Sequence, residues 1–243
     1  MQSEYANNYR KLYQKHWWWR SRESYILRIL RRWQQQEERQ ETREILDVGC
    51  GDGLFFPALT SFGNVQGVES DPQIVEPDGP FAQRIHVGNF DKSFQPNQEF
   101  HWITMLDVIE HIPDATQALR HAGELLASDG RMLVTVPAFN LLWTQHDEYN
   151  LHQTRYTKRL LHQQAAAAGL LVQRMQYLFH WTFPVKLLIR LKETLTRGTP
   201  RSAQVPPSVI NSSCRFLCQL EQRILTPLRL PFGSSLVAVC TKQ

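Results

Sequence analysis

Apolar and polar positions change period several times along the chain. Over residues 5–40, Tyr25, Ile26, Ile29, Leu30 and Trp33 recur at helical spacing with Arg28, Arg31 and Arg32 between them, which predicts an N-terminal helical segment. Trp17, Trp18 and Trp19 precede that face. Three successive side chains cannot share one side of a helix, so at least one is expected to meet a partner surface, a ligand or a membrane interface. From residue 44 onward, short apolar runs alternate with helical stretches. Strands are predicted at 44–48, 65–69, 84–87, 100–106, 131–136, 170–178 and 235–241. Helices are predicted at 54–62, broken early by Pro57, at 114–127 with Asp114 as N-cap, and at 157–168, capped by Thr157 and stopped by Gly169. The stretch from Asp71 to Pro80 is too rich in Pro and Gly for a long helix, and Asp129-Gly130 reads as a turn into the fifth strand. Such alternation implies a parallel sheet with right-handed crossovers.

Two stretches exceed what that alternation needs. Residues 138–156 follow the fifth strand at the carboxyl edge of the sheet, where ligands bind in such folds. Residues 179–233 separate the sixth and seventh strands. They begin with an apolar stretch that carries Lys186, Arg190 and Lys192 and has Pro184 suited to a first helical turn. A Pro-rich loop at 199–207 leads to a second helix near 209–225. The expected division is a helical cap at 1–40, a core at 41–178 plus 234–243, and a helical insertion at 179–233.

Charge sharpens this division. The net charge of +4 conceals a middle segment, 41–150, with 5 Lys/Arg against 17 acids, followed by 151–243 with 13 against 2. The basic flanks suit a phosphorylated substrate, a membrane surface or nucleic acid, or simply solvate helical appendages. No RNA-binding module is legible. The 4 cysteines, Cys50, Cys214, Cys218 and Cys240, have no framework spacing, which suits reduced cytoplasmic thiols; Cys214 and Cys218 are expected to share a helix face rather than bind metal. No run reaches the roughly 18 apolar residues of a spanning helix.

The chemistry concentrates after the first strand. Ile45-Leu46-Asp47-Val48-Gly49-Cys50-Gly51-Asp52-Gly53 runs from an apolar strand through an acid into a G-x-G-x-G turn, and Val65-Gln66-Gly67-Val68-Glu69 is a second strand ending in an acid. Glycines admit a ligand to the backbone, and an acid about 20 residues on can take ribose hydroxyls. The third glycine comes one residue early for a dinucleotide fingerprint, and Asp47 and Asp52 would repel a pyrophosphate. A ligand with an amino group and a sulfonium suits them. These residues resemble motif I of the class I S-adenosylmethionine (SAM)-dependent methyltransferases. The resemblance continues in Leu106-Asp107-Val108-Ile109-Glu110-His111-Ile112-Pro113-Asp114, which looks like the segment after the fourth strand in ubiquinone-type and related small-molecule methyltransferases.

The resemblance covers about residues 42–178 and the last strand. It implies an α/β, Rossmann-like seven-stranded sheet in the order 3-2-1-4-5-7-6, with strand 7 antiparallel and helices on both faces. It implies SAM as cofactor, with Gly49, Cys50 and Gly51 approaching it through their backbone. Asp47 would lie near its methionine part, Glu69 on the ribose, Ser70, Asn89 and Phe90 at the adenine, and Leu106 and Asp107 beneath the methionine part. The acceptor would be a small or lipid-linked molecule. His111 has three readings: pocket wall, general base, or, with Asp107 and Glu110, part of a divalent-metal cluster completed by His146, Asp147 or His152. Asp107 departs from the Glu that usually begins the metal form. The loop from His146 to Tyr156 gathers polar groups, with His146, Arg155 and Tyr156 as substrate candidates and Arg155 suited to an anionic group.

Two other functions compete: an NAD-dependent oxidoreductase, separable by titration with each cofactor, and a non-enzymatic membrane- or partner-binding module on the same fold. Residues 179–195 are expected to lie on a membrane surface, with Trp181 and Phe183 at the headgroup boundary and Lys186, Arg190, Lys192 and Arg197 on anionic lipid. The alternatives for them are a packed cap over the core or a dimer contact. Oligomeric state is not legible.

Overall fold

A computed structural model describes residues 2–37, 42–196, 203–225 and 228–243. Arg197, the start of the Pro-rich loop at 199–202 and the expected boundary near residue 40 lie outside them. The strands form one seven-stranded sheet in the order β3-β2-β1-β4-β5-β7-β6. The chain divides into two compact units, 1–104 with 204–219 and 105–203 with 220–243.

The first unit opens with α1 (Gln2–Lys15) and α2 (Trp17–Gln36), so the long helix expected from periodicity is two helices. The break falls at His16, whose ring accepts from Trp18 N at 3.1 Å and caps α2. Burial lowers the His16 pKa to about 4, which keeps that acceptor neutral. The break also answers the tryptophan expectation. All three rings are half-buried within the protein, Trp19 against Tyr9, His16 and Trp18, and Trp18 beneath the Arg22 guanidinium. None is turned wholly outward. Ile26, Leu30 and Trp33 form the inner face of α2.

β1 (Arg43–Val48) pairs in parallel with β2 (Gly63–Glu69), which pairs in parallel with β3 (Ile85–Val87). The register sets Asp47 opposite Gly67 and Glu69 opposite Val87. A Cβ on Gly67 would fall 2.4 Å from Cys50 Sγ, so only glycine lets β2 lie so close to the turn after β1. The helix expected at 54–62 shrinks to α3 (Phe56–Leu59), because turns occupy 51–55. The first stretch of this unit ends within β4 (Phe100–Leu106), at Thr104.

In the second unit α4 (Ala115–Leu125) is capped by Asp114, which accepts from Gln117 N at 2.9 Å. β5 (Leu126–Pro137) is longer than expected: Asp129-Gly130 continues the strand instead of turning. α5 (Gln145–Tyr149) lies in the segment after β5. α6 (Lys158–Ala167) begins at its expected cap, Thr157, and ends at Gly169, whose φ of 78° suits glycine. β6 (Leu170–Leu178) and β5 flank β7 (Ser235–Lys242), which is antiparallel to both. β6 is followed by α7 (Thr182–Leu195), and β7 is preceded by α8 (Ser208–Ile224), which belongs to the first unit up to Gln219. No helix among the described residues is long and apolar enough to cross a membrane.

Candidate functional site

In the first unit the three glycines after β1 all adopt left-handed backbone, with φ of 69° at Gly49, 57° at Gly51 and 68° at Gly53. L side chains resist that conformation, which is why the sequence repeats glycine at every second position. The turn is pinned to β2 at both ends of its first half. Gly49 N and Cys50 N donate to Val68 O at 2.8 and 3.2 Å, and Gly51 N donates to a Glu69 carboxylate oxygen at 2.9 Å. The other Glu69 oxygen accepts from Asp71 N at 3.0 Å and Ser70 Oγ at 3.5 Å. Glu69 is 8% exposed, so its charge sits at the floor of the turn, held by backbone donors.

Asp47 is deeper, at 3% exposure, and accepts from Thr104 Oγ1 at 2.6 Å. Burial raises its pKa to about 7; the Thr104 bond and the Arg22 charge oppose the rise and Glu69 adds to it. Burial likewise pushes the Cys50 thiol up, so it is inert at neutral pH. Arg10, from α1, pairs with both Asp52 and Glu76. A Cβ on Gly51 would lie 3.6 Å from Tyr9 Cε1, so α1 rests against the glycine turn. Ser70 and Asn89 are exposed, and Phe90 is half-buried with its ring 6.0 Å from that of Phe94. Thr104 and Arg10 were not singled out in the sequence. Thr104 is one residue among an apolar strand, and no local pattern connects Arg10 to a turn 42 positions away.

In the second unit Leu106 ends β4 and Asp107 follows with a φ of 56°, a strained value for a non-glycine residue. Its backbone N–H donates to Thr135 O at 2.9 Å, and its carboxylate accepts from Thr135 Oγ1 at 3.4 Å. Glu110, His111 and His152 place ligand-competent atoms within 4.8 Å of one another, with Glu110 buried and His111 exposed. The His111 and His152 rings meet edge to face at 4.7 Å. Asp107 is not part of that group, which corrects the expected Asp107–Glu110–His111 set. Desolvation, and after it His152, lowers the His111 pKa to about 4. His111 is therefore neutral at pH 7 and a weak base.

Asp147, wholly buried, organises the neighbouring loop. Its carboxylate accepts from Arg155 Nε at 2.7 Å, Arg155 Nη2 at 3.0 Å, Thr144 N at 2.8 Å and Thr144 Oγ1 at 3.1 Å. His152 Nδ1 lies 2.8 Å from it. Burial opposes ionisation of Asp147, but the His152 and Arg155 bonds outweigh it and hold its pKa well below the usual carboxylate range.

Arg155 was expected to meet an anionic substrate. It is 2% exposed, forked onto Asp147, with Nη1 donating to Ala138 O at 3.0 Å. Tyr156 is also buried, its hydroxyl donating to Ile109 O at 3.3 Å. Both expectations are corrected: a buried aspartate requires a counter-ion, and the one arginine of this loop supplies it. His146 remains exposed, beside Asn150, with its pKa lowered to about 4 by desolvation and then by Lys186. Lys186, on α7, is drawn toward this cluster, and desolvation followed by Arg155 lowers its pKa to about 7. Arg190 also turns inward, donating to Asn140 O at 2.6 Å. Neither side chain faces outward as a lipid contact requires, which corrects that part of the sequence expectation.

Comparison with known proteins bears on the family and the fold. A family model described as "Methyltransferase domain" matches residues 18–174, well over half of the chain. The ubiquinone biosynthesis O-methyltransferase of Azorhizobium caulinodans is 31% identical over 98 residues, covering 37% of this chain and 39% of that protein. The chain thus aligns with less than half the length of this curated relative. Among solved structures, a chain from the complex of a Haloferax volcanii methyltransferase activator superposes with a TM-score of 0.60 at 15% identity, covering 98% of this chain and 94% of that one. A SAM-dependent methyltransferase from Archaeoglobus fulgidus gives 0.55 at 15% identity, covering 90% and 94%. At such identities the structures speak to the fold.

Proposed function

Because the chain belongs to the class I SAM-dependent methyltransferase family, we propose that it transfers the methyl group of SAM to an oxygen of a small or lipid-linked acceptor. One observation carries the cofactor half of this reading. The buried Glu69 carboxylate closes a turn of three left-handed glycines, a cradle for an adenosine whose ribose offers two hydroxyls. In this reading Gly49, Cys50 and Gly51 approach the cofactor with their backbone, and Asp47 balances the positive charge of its methionine part. Ser70, Asn89 and Phe90 border the adenine, and Leu106 and Asp107 border the methionine part. When bound, SAM supplies the methyl already activated on a sulfonium, which leaves the protein to hold, align and remove a proton. Residues 1–40 serve as a cap on the core formed by 41–178 and 234–243.

Oxygen as acceptor atom is the chemistry named for the curated relatives. It fits a site that must take a proton from a hydroxyl. The Glu110, His111 and His152 group is the proposed place, with Asp147 orienting His152. His111 alone is a poor base at its depressed pKa. Two imidazoles and one carboxylate within 4.8 Å are instead a donor set suited to a divalent cation, with His152 braced by a carboxylate as metal-bound histidines commonly are. Such an ion would lower the pKa of an acceptor hydroxyl.

The test has two parts. Calorimetric titration with SAM should give tight binding to wild type and a marked loss in Glu69→Ala, which removes charge-assisted bonds worth roughly 1.5–3 kcal/mol each. Equal affinity would sink the cofactor assignment. Transfer of labelled methyl to a lysate fraction, run with and without chelator, then reads the acceptor end. Activity lost to chelator and restored by a divalent ion supports the cation. Activity unaffected by chelator, and also by His111→Ala and His152→Ala, reduces the cluster to pocket wall.

A further inference from the structure

Both helices between β6 and β7 turn their apolar sides away from the protein. In α8 the inner side is polar: Cys218, Glu221 and Gln222 are buried, and Asn211 accepts from Trp17 N at 2.8 Å. At 3.6 residues per turn the opposite side carries Val209, Phe216, Leu220 and Ile224, and Ile210 and Leu217 flank it. Each of the six is exposed, Phe216 by 62% and Val209 by 76%. A surface helix of a globular protein has the reverse arrangement, and an exposed apolar face of this kind marks an interaction surface.

Taken by itself, α7 repeats the inversion. Lys186 and Arg190 turn inward, and Glu193 accepts from Gln145 N at 2.9 Å. Leu188, Leu191 and Leu195 are exposed, by 66%, 57% and 75%.

Charge selects the occupant. Residues 179–233 hold 8 Lys/Arg against 2 acids, Glu193 and Glu221. Both acids are used internally, Glu193 on Gln145 and Glu221 on His180 Nδ1 and Trp181 N. The outward apolar residues are therefore accompanied by exposed Lys192, Arg215, Arg223 and Arg229 with no exposed acid between them among the described residues. A second copy of the chain would set these cations against their own kind. An anionic lipid surface satisfies both features: acyl chains take the leucines, the phenylalanine and the isoleucines, and headgroups take the basic rim. Neither helix crosses the bilayer, since none is long and apolar enough.

We propose that the outward apolar face of each of these helices, α7 and α8, rests on an anionic bilayer. This is independent of the methyl-transfer reading and is tested without cofactor or acceptor. The intact chain is floated with vesicles of equimolar phosphatidylcholine and phosphatidylglycerol, and with phosphatidylcholine alone, at low and at high salt. The wild type should float with the anionic vesicles, weakly with the neutral ones, and less in high salt. Two triple variants, Phe216→Ser with Leu217→Ser and Leu220→Ser, and Leu188→Ser with Leu191→Ser and Leu195→Ser, should each lower the partition coefficient at least tenfold. Because every substituted side chain is exposed, their thermal midpoints should stay at or above that of wild type, which separates lost binding from lost folding. Failure of the wild type to float at low salt overturns the proposal, as does flotation unchanged in both triple variants. A wild-type dimer in light scattering that both variants convert to monomer, without flotation, assigns the faces to a second copy and also overturns it.

Discussion

Replacing Asp147 by Asn removes one charge from a place where the structure leaves no room for imbalance. The carboxylate is fully buried and accepts five bonds, two of them from an Arg155 side chain that is itself 1% exposed. An amide keeps one acceptor oxygen, but its NH2 group faces donors. Arg155 would then stay charged in a buried site with half its partner. Breaking a buried pair in this way costs about 3–5 kcal/mol, well above the ~1 kcal/mol of a lost helix cap, which Asp147 also provides through its capping box with Thr144. For a chain of this size each kcal/mol lowers the thermal midpoint by about 2–4 °C, so the expected fall is roughly 6–20 °C. Asp147→Asn with Arg155→Met should recover part of the loss, because the orphaned cation goes with its partner.

The sign with pH follows from the depressed carboxyl. Asp147 contributes stability at pH values above its ordinary 3.8, and that contribution disappears as pH falls below it through the lower native value. Wild type and Asp147→Asn should therefore differ fully at pH 7 and converge only below about pH 4. Urea unfolding of the four members of the cycle at pH 7 and at pH 2 measures all of this. A loss under about 1 kcal/mol at pH 7, or strictly additive single effects, would refute the reasoning.

Three further outcomes are expected. Asp47, with its pKa raised to about 7, is partly protonated in the free protein near neutrality, and a positively charged ligand beside it favours ionisation. SAM binding at pH 6 should release a proton, seen as heat that varies with buffer ionisation enthalpy, and affinity should rise toward pH 8; Asp47→Asn should lose that pH dependence, and a slope that persists in it would clear Asp47 of the role. Lys186, lowered to about 7, weighs against the fold wherever its native value lies below the unfolded one, most at pH 6 and least above pH 10. Lys186→Met should raise the urea midpoint at pH 6 more than at pH 10, and a lower midpoint at pH 6 would mean that the ammonium is favourably paired. Arg10→Ala should speed cofactor exchange in stopped flow with little change in stability, since half-exposed ion pairs contribute only about 0–1 kcal/mol. Unchanged exchange would detach α1 from the site.

The glycine turn and the acid that closes it were legible because each depends on local chemistry: φ at glycine and a carboxylate one strand away. Alternation of periods implied a parallel sheet, while its strand order was implied by the family resemblance. What stayed hidden depends on which way a face points. Periodicity in α7 shows that Leu188, Leu191 and Leu195 share a side and Lys186 and Arg190 another, but apolar-inward is the usual assignment, and here Asp147, Asn140 and Gln145 draw the polar side in. Arg155 was misjudged for a related reason. A loop rich in polar groups looks like a binding surface until one of its acids is found buried, and burial of Asp147 has no sequence signature. The run through Asp129-Gly130 shows the opposite limit, with a strand overriding turn residues.

The contact of α1 with the glycine turn bears on how the protein can be handled. Anything seated against Gly49–Gly53 shares its space with Tyr9 and with the Arg10 pairs to Asp52 and Glu76. Arrival and departure of such a ligand are then expected to displace α1. A bulky fusion ahead of α1, or a trimmed start that removes Arg10, would alter turnover while every reacting group stayed in place. Salt would act in the same direction as the trim, because it screens the two ion pairs. Rates compared between differently tagged preparations, or between buffers of different ionic strength, would report on this contact before they reported on methyl transfer.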